Sequence, residues 1–296
     1  MPETAAKTAL LDDLRRRIER LERPLAPQGA ARPALPLVLP LGVAEVDRHL
    51  PGGGLPAAAL HEIAPVRNAG TKSGTAPNRP AALGFAAGLL GRAAASGPVL
   101  WCRNMGRAGN RLHAPGLESF GLHAGNLIIV NGSNPRQLLW AMEESLRSGA
   151  VTAVLAEISD LRPVAARRLQ LAAEAGGALA LLIGDGADDA LPAATRWRIA
   201  TTASPHAEGP WPGPARWSVT LHRCRHAPAG AAALGPPRWF LEWRDDSHDD
   251  NNNRQDGDQR TARGFRLAAA LRDGSPRPAQ GGGREMRPRL PAAATG

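Results

Sequence analysis

Hydrophobic and polar positions along this chain follow two different periods, and the change falls near residue 195. Upstream, short apolar runs alternate with stretches of helical spacing. A strand ends at His61-Glu62-Ile63, a helix covers about 81–95, and a second strand is Val99-Leu100-Trp101-Cys102. A short helix around 117–120, a third strand at 127–130 and a helix at 137–147 follow. In the last, Leu138, Leu139, Met142 and Leu146 face inward and Gly149 is the cap. A fourth strand at 151–158, a helix at 163–176 and a fifth strand at 178–183 complete the series. Strands separated by helices of this length predict a parallel sheet covered on both faces. Downstream, TRWRIAT, RWSVTLH and RWFLEW alternate residue by residue, the pattern of half-buried antiparallel strands. The expected fold is α/β, a mainly parallel sheet flanked by helices with antiparallel strands at its C-terminal side.

Both flanks differ from this body. Residues 1–23 contain a short amphipathic helix with Leu10, Leu14, Ile18 and Leu21 on one side, ended by Pro24. It serves either as a cover for its own domain or as an arm that docks on a partner. Residues 24–40 are a Pro/Ala-rich linker and 41–244 the folded domain. From Asp245 to Gly296 the chain is too polar to fold alone, apart from a short docking helix expected near 261–272 around Phe265.

Composition narrows the class. The 296 residues carry 36 Lys+Arg against 27 Asp+Glu, a net charge of +9. The tail from Asp245 is nearly balanced, so the surplus belongs to the body, where it suits nucleic acid or simply reflects a genome that favours Arg. Each alternating strand opens with an Arg-Trp pair, at Arg196, Arg216 and Arg238. On a solvated face such pairs would stack bases and neutralise phosphates; otherwise each Trp is sheet core and the Arg covers it with its stem. Two cysteines cannot form a disulfide scaffold, and no leader or long apolar span is visible, so a cytoplasmic protein is expected. His222, Cys224 and His226 would share one face of a strand, but no fourth ligand of suitable spacing accompanies them, and no metal is expected.

The chemistry worth weighing lies in the loop between the first strand and its helix. A phosphate-binding loop needs glycines that let backbone N–H groups close around phosphate, a Lys for the outer phosphates and a Ser/Thr for Mg²⁺. Here Gly70-Thr71-Lys72-Ser73 puts Thr71 between Gly and Lys, and Asn78-Arg79-Pro80 stands where Gly-Lys-Ser/Thr would precede the helix. Glu157, at the tip of the fourth strand, occupies the place of an acid that organises Mg²⁺ through water. Lys72, Ser73 and Glu157 are thus the degenerate nucleotide-binding candidates, and neither ATP nor Mg²⁺ is expected as a working cofactor. Arg167 and Arg168, at the start of their helix, join Arg196, Arg216 and Arg238 as candidates for contact with DNA or a partner.

Gly42-Val43-Ala44-Glu45-Val46-Asp47, then Gly53-Gly54-Leu55-Pro56 and His61-Glu62-Ile63, resemble the approach to the phosphate loop in RecA-fold recombinases. GVAEVDRHLPGGGLP, the Leu100-Trp101-Cys102 strand, Ala114-Pro115-Gly116-Leu117, WAMEESLRSGA, RRLQLAAEA and TRWRI together resemble the ImuA family of bacterial mutasome accessory proteins, from about Leu41 to Trp243. The resemblance implies a RecA-like core and a part in SOS-induced, error-prone translesion DNA synthesis. The implied partners are ImuB, a polymerase-like adaptor without activity, an error-prone DNA polymerase and RecA, with affinity for single-stranded DNA. This chain departs from the recombinases at three places. The loop Lys has no counterpart, Asn104 or a neighbour stands where a water-activating Glu would follow the second strand, and Gly184-Asp185 replaces the γ-phosphate-sensing Gln. A non-enzymatic scaffold is therefore expected; the alternatives are a weak ATPase with a rearranged loop and a direct single-stranded DNA binder.

Overall fold

A computed structural model describes residues 36–67, 78–104, 112–186, 191–203, 214–228, 235–245 and 263–268. A small hairpin-like sheet comes first, pairing β1 (Val38–Leu39) antiparallel with β2 (Leu55–Pro56) around the one-turn helix α1 (Ala44–Asp47). The GVAEVD motif closes on itself there. The Asp47 carboxylate accepts from the backbone N–H of Leu41 at 2.8 Å and of Gly42 at 2.9 Å. Leu41, Val43, Val46, Leu50 and Leu55 are thereby turned into the core.

Beyond it the chain alternates as its periods predict: β3 (Leu60–Pro65), α2 (Arg79–Ala94), β4 (Val99–Asn104), α3 (Ala114–Glu118), β5 (Leu127–Gly132), α4 (Pro135–Ser148), β6 (Ala153–Glu157), α5 (Pro163–Gly176) and β7 (Leu179–Ile183). Then come β8 (Thr195–Thr201), β9 (Arg216–Cys224), β10 (Arg238–Arg244) and β11 (Gly264–Leu267). All but the first two strands join one sheet of nine, in the order β11-β10-β9-β8-β3-β7-β6-β4-β5. Strands β8, β3, β7, β6, β4 and β5 run parallel, while β9, β10 and β11 are antiparallel. This is the α/β, RecA-like architecture expected from the sequence.

Side chains on consecutive strand residues point to opposite faces, so the sheet divides the interior in two. Val99 and Trp101 of β4 join one core with α2; Leu100 and Cys102 join the other with α4 and α5. Helix α4 begins where Asn134 accepts from the Gln137 N–H at 3.0 Å and ends at Gly149, whose φ of 61° suits a residue without Cβ. No described helix is long and apolar enough to cross a membrane.

Helix α2 packs its glycines, which weaken a helix interior, against large rings. A Cβ on Gly88 would lie 2.6 Å from Phe265 and 2.9 Å from Trp243; one on Gly91 would meet the Phe120 carbonyl oxygen. Phe265 thus belongs to the packed body. The short docking helix expected near 261–272 is, over Gly264–Leu267, the edge strand β11, paired Trp243↔Phe265 with β10. Phe265 is buried, with ring centroids 5.0 Å from Trp243 and 5.2 Å from Phe85. Phe265 is buried and Arg266 exposed, as opposite faces of a strand allow, and β10 would otherwise end the sheet with unpaired backbone groups that strand addition satisfies. Strands β1 and β11 thus accompany the domain expected over 41–244. Arg263 pairs with Asp245 at 2.8 Å where the chain returns. Leu10, Leu14, Ile18 and Leu21 lie outside the described residues.

Candidate functional site at the carboxyl ends of the parallel strands

Because the six parallel strands point one way, their carboxyl ends gather on one edge, beside the N-terminus of α2. Ligands of open α/β sheets bind at such an edge. Pro65, Asn104, Glu157 and Gly184-Asp185 all lie at or just past strand ends there. Lys72 and Ser73 lie outside the described residues.

Glu157 is buried, and both carboxylate oxygens are engaged. Oε2 accepts from Arg79 Nη2 at 2.9 Å, and Oε1 accepts from Trp101 Nε1 at 3.1 Å. Arg79 opens α2, so the residue standing in place of a phosphate-loop Lys directs its charge to the acid that would otherwise order Mg²⁺. Pro80, next in the same first turn, has no N–H to offer an anion. Asn78 is held by two backbones: its Nδ2 donates to Val66 O at 2.9 Å, and its Oδ1 accepts from the Thr201 N–H at 3.0 Å. That side chain ties the exit of β3 to the end of β8 and makes no capping bond to α2. The chemistry displayed is charge neutralisation and strand fastening.

A second buried ion pair lies two strands over, on β3. Arg196 Nε donates to Glu62 Oε2 at 2.6 Å, and Arg198 Nη1 lies 3.8 Å from the same oxygen. Gly184 allows this, since a Cβ there would sit 2.6 Å from Glu62 Oε1. A cavity of about 30 Å³ bounded by Glu62, Asp160 and Asp185 adjoins it, room for about one water. His61, fully buried, accepts from the Thr195 hydroxyl at Nδ1 (2.8 Å) and donates from Nε2 to Pro56 O (2.9 Å). Thr195 Oγ1 in turn accepts from Trp197 Nε1 at 2.7 Å. Desolvation pushes the His61 pKa down to about 4, against the weaker opposing effect of the Pro56 bond. Burial pushes the Cys102 thiol up to about 12 and raises Cys224 as well, so neither thiol is poised as a nucleophile.

The arginine candidates separate. Arg168 clamps α5 to α4 through Glu143 at 2.5 Å, while Arg167 is exposed beside it. Arg196 and Arg216 are buried, the latter bonded to Glu242 at 2.5 Å; Arg238 is exposed. Burial raises the Glu242 pKa, but the hydrogen bond and charge of Arg216, with Arg244, outweigh that and hold it below the usual range. In every Arg-Trp pair the Trp is core. The Arg points to the opposite face, so it does not cover its Trp as one sequence reading had it. Strand β9 ends at Cys224, and His226 lies beyond it at φ 63°, so His222, Cys224 and His226 do not form a continuous alternating row. Among the described residues no cluster of His, Cys, Asp and Glu has metal-binding geometry.

The sequence singled out Glu157 but not its two partners. Arg79 was visible only as a departure from a motif, and Trp101 only as a strand residue. Pairing across 78 and 56 positions has no local signal.

No protein-family model matches the chain. A solved structure of SulA from Pseudomonas aeruginosa, 21% identical, covers 44% of this chain and 98% of its own at a TM-score of 0.33, a likeness too slight to bear on function. Protein ImuA of Caulobacter vibrioides, from strain NA1000 / CB15N and from strain ATCC 19089 / CIP 103742 / CB 15, is in each case 33% identical over 235 residues, spanning 71% of this chain and 85% of the relative. With that identity sustained over most of both lengths, the chain belongs to the ImuA family.

Proposed function

We propose that this protein is a RecA-like accessory scaffold of error-prone translesion DNA synthesis in SOS-induced mutagenesis. It works beside an ImuB-type polymerase-like adaptor and an error-prone DNA polymerase, with RecA as a further contact, and it acts without splitting ATP. Family membership supports the setting. The observation that carries the mechanism is the Arg79–Glu157 pair. A hydrolytic site needs its acid available to a metal and its cation available to the γ-phosphate. Here each satisfies the other inside the protein, and Pro80 removes a donor from the helix turn that would cradle phosphate.

The rival reading, a weak ATPase using Lys72-Ser73 with Glu157 on Mg²⁺, requires Glu157 to give up Arg79. Calorimetric titration of the purified chain with ATP and Mg²⁺ distinguishes the two. The scaffold reading expects no saturable binding at micromolar nucleotide. Micromolar affinity abolished by Lys72→Ala would overturn it. Co-purification with the adaptor and the polymerase tests the setting separately, and a chain recovered with neither would remove it.

A further inference from the structure

The antiparallel strands have two unlike faces. Helix α2 covers one, where Trp197, Trp217, Trp239 and Trp243 are buried. The other continues the surface that α4 and α5 cover over the parallel strands, and among the described residues no helix packs on it beyond β3. The register builds it row by row. Arg198, Thr220 and Arg238 stand side by side across β8, β9 and β10; Ala200, Ser218 and Phe240 form the next row; Arg216, Glu242 and Arg266 form the third across β9, β10 and β11. Arg244 follows on β10. Five guanidiniums thus share these rows with the carboxylate of Glu242, which Arg216 holds at 2.5 Å and Arg244 at 3.4 Å.

Arg238, Arg244 and Arg266 are exposed, and Phe240 is half-exposed in the middle row. The Arg238 guanidinium carbon lies 5.8 Å from the centre of the Phe240 ring, and its Nε donates to Ser218 Oγ at 2.7 Å. A half-open ring with one guanidinium over it and a hydroxyl beside it is a stacking platform with charge around it. Strand spacing places Arg198 and Arg238 about 10 Å apart, and Arg238 and Arg244 about 20 Å apart along β10. This is an extended strip suited to a chain of phosphates rather than to a single anion.

We propose that this open face of β8–β11 binds a single-stranded polynucleotide, with a base on Phe240 and phosphates on Arg238, Arg244 and Arg266. The site lies away from Glu157, and the proposal goes beyond the scaffold role without depending on it. An acidic protein segment would find the same charges, but it would have no use for the aromatic ring, and the test turns on that difference.

The experiment is fluorescence anisotropy of a labelled oligothymidylate with the full chain at low salt. The acidic residues Asp246, Asp249 and Asp250, which follow β10 in sequence, are retained so that binding is read against the chain's own carboxylates. Affinity should fall steeply as salt rises. The double variant Arg238→Glu/Arg244→Glu should lose at least about tenfold in affinity, and the salt slope should shrink by about 1.4, two phosphates at ~0.7 each. Arg238→Lys/Arg244→Lys should keep most of the slope. Phe240→Leu should lose roughly tenfold, the scale of one base stack, whereas Phe240→Trp should not; equal melting temperatures for the variants separate this from misfolding. Absence of binding, or a double-Glu variant that binds as the parent does, overturns the proposal. So does a Phe240→Leu variant of unchanged affinity together with full competition by polyglutamate, which would assign the face to an acidic protein segment.

Discussion

At the scale of single residues, the buried polar groups are those whose role changed most between sequence and structure. His61 closes a strand motif that resembles the recombinase approach, yet it faces Thr195 and Pro56 with no access to solvent. Its folded pKa, about 4, lies below the ordinary 6.5. The unfolded chain therefore binds a proton that the native chain refuses. Stability is fully present above pH 6.5 and declines as pH falls toward 4, by up to about 3 kcal/mol for the full shift. Urea unfolding at a series of pH values should show this slope, and His61→Gln should flatten it. The Arg79–Glu157 pair makes a second prediction. Removing the cation alone leaves a buried carboxylate short of its partner, so Arg79→Met should cost about 3–5 kcal/mol, while Arg79→Met/Glu157→Gln should recover much of the loss. A double-mutant cycle in denaturant measures the coupling; additive losses would mean that the two side chains do not depend on each other.

At the scale of elements, the glycines of α2 and the strand β11 show where local reading stops. Periodicity placed the helix within two residues of its observed Arg79–Ala94 bounds, because Ala and Leu recur at helical spacing. Nothing local said that Gly88 and Gly91 are contact points, since the rings and the carbonyl they meet come from distant stretches. Gly88→Ala should lower stability by about 1–3 kcal/mol through overpacking. Gly91→Ala should cost more, because what its Cβ meets is backbone and cannot rotate away. Thermal unfolding of both variants checks the order. For the same reason β11 was legible only as a short apolar cluster near Phe265. The strand is four residues long, too short for its pattern to tell a strand from a helix turn, and the partner of Phe265 is Trp243 on β10. A chain ending at Ala268 should melt with the parent. One ending at Asp245 should lose roughly 2–3 kcal/mol for Phe265 alone, and more once Trp243 loses its ring neighbour.

At the scale of the whole molecule, nine strands in one sheet separate two cores and give the chain an edge and an open face with different chemistry. Where the parallel strands end, Glu157 and Arg79 neutralise each other; on the open side of the antiparallel strands, arginines share a face with Phe240 and Glu242. What the sequence determined by itself was the alternation of strand and helix up to residue 183 and the change of period near 195. Hydrophobic spacing is a local property, and it follows from which side of each element must leave water. It also determined that Gly70-Thr71-Lys72-Ser73 lacks the spacing of a phosphate loop, which is likewise a property of neighbours. The tertiary structure alone decided which face each arginine takes, which carboxylate it meets and whether Phe265 lies inside. Those outcomes depend on strand order and register, which bring residues tens to more than a hundred positions apart into contact. Sequence separation carries no trace of such contacts until the sheet has formed.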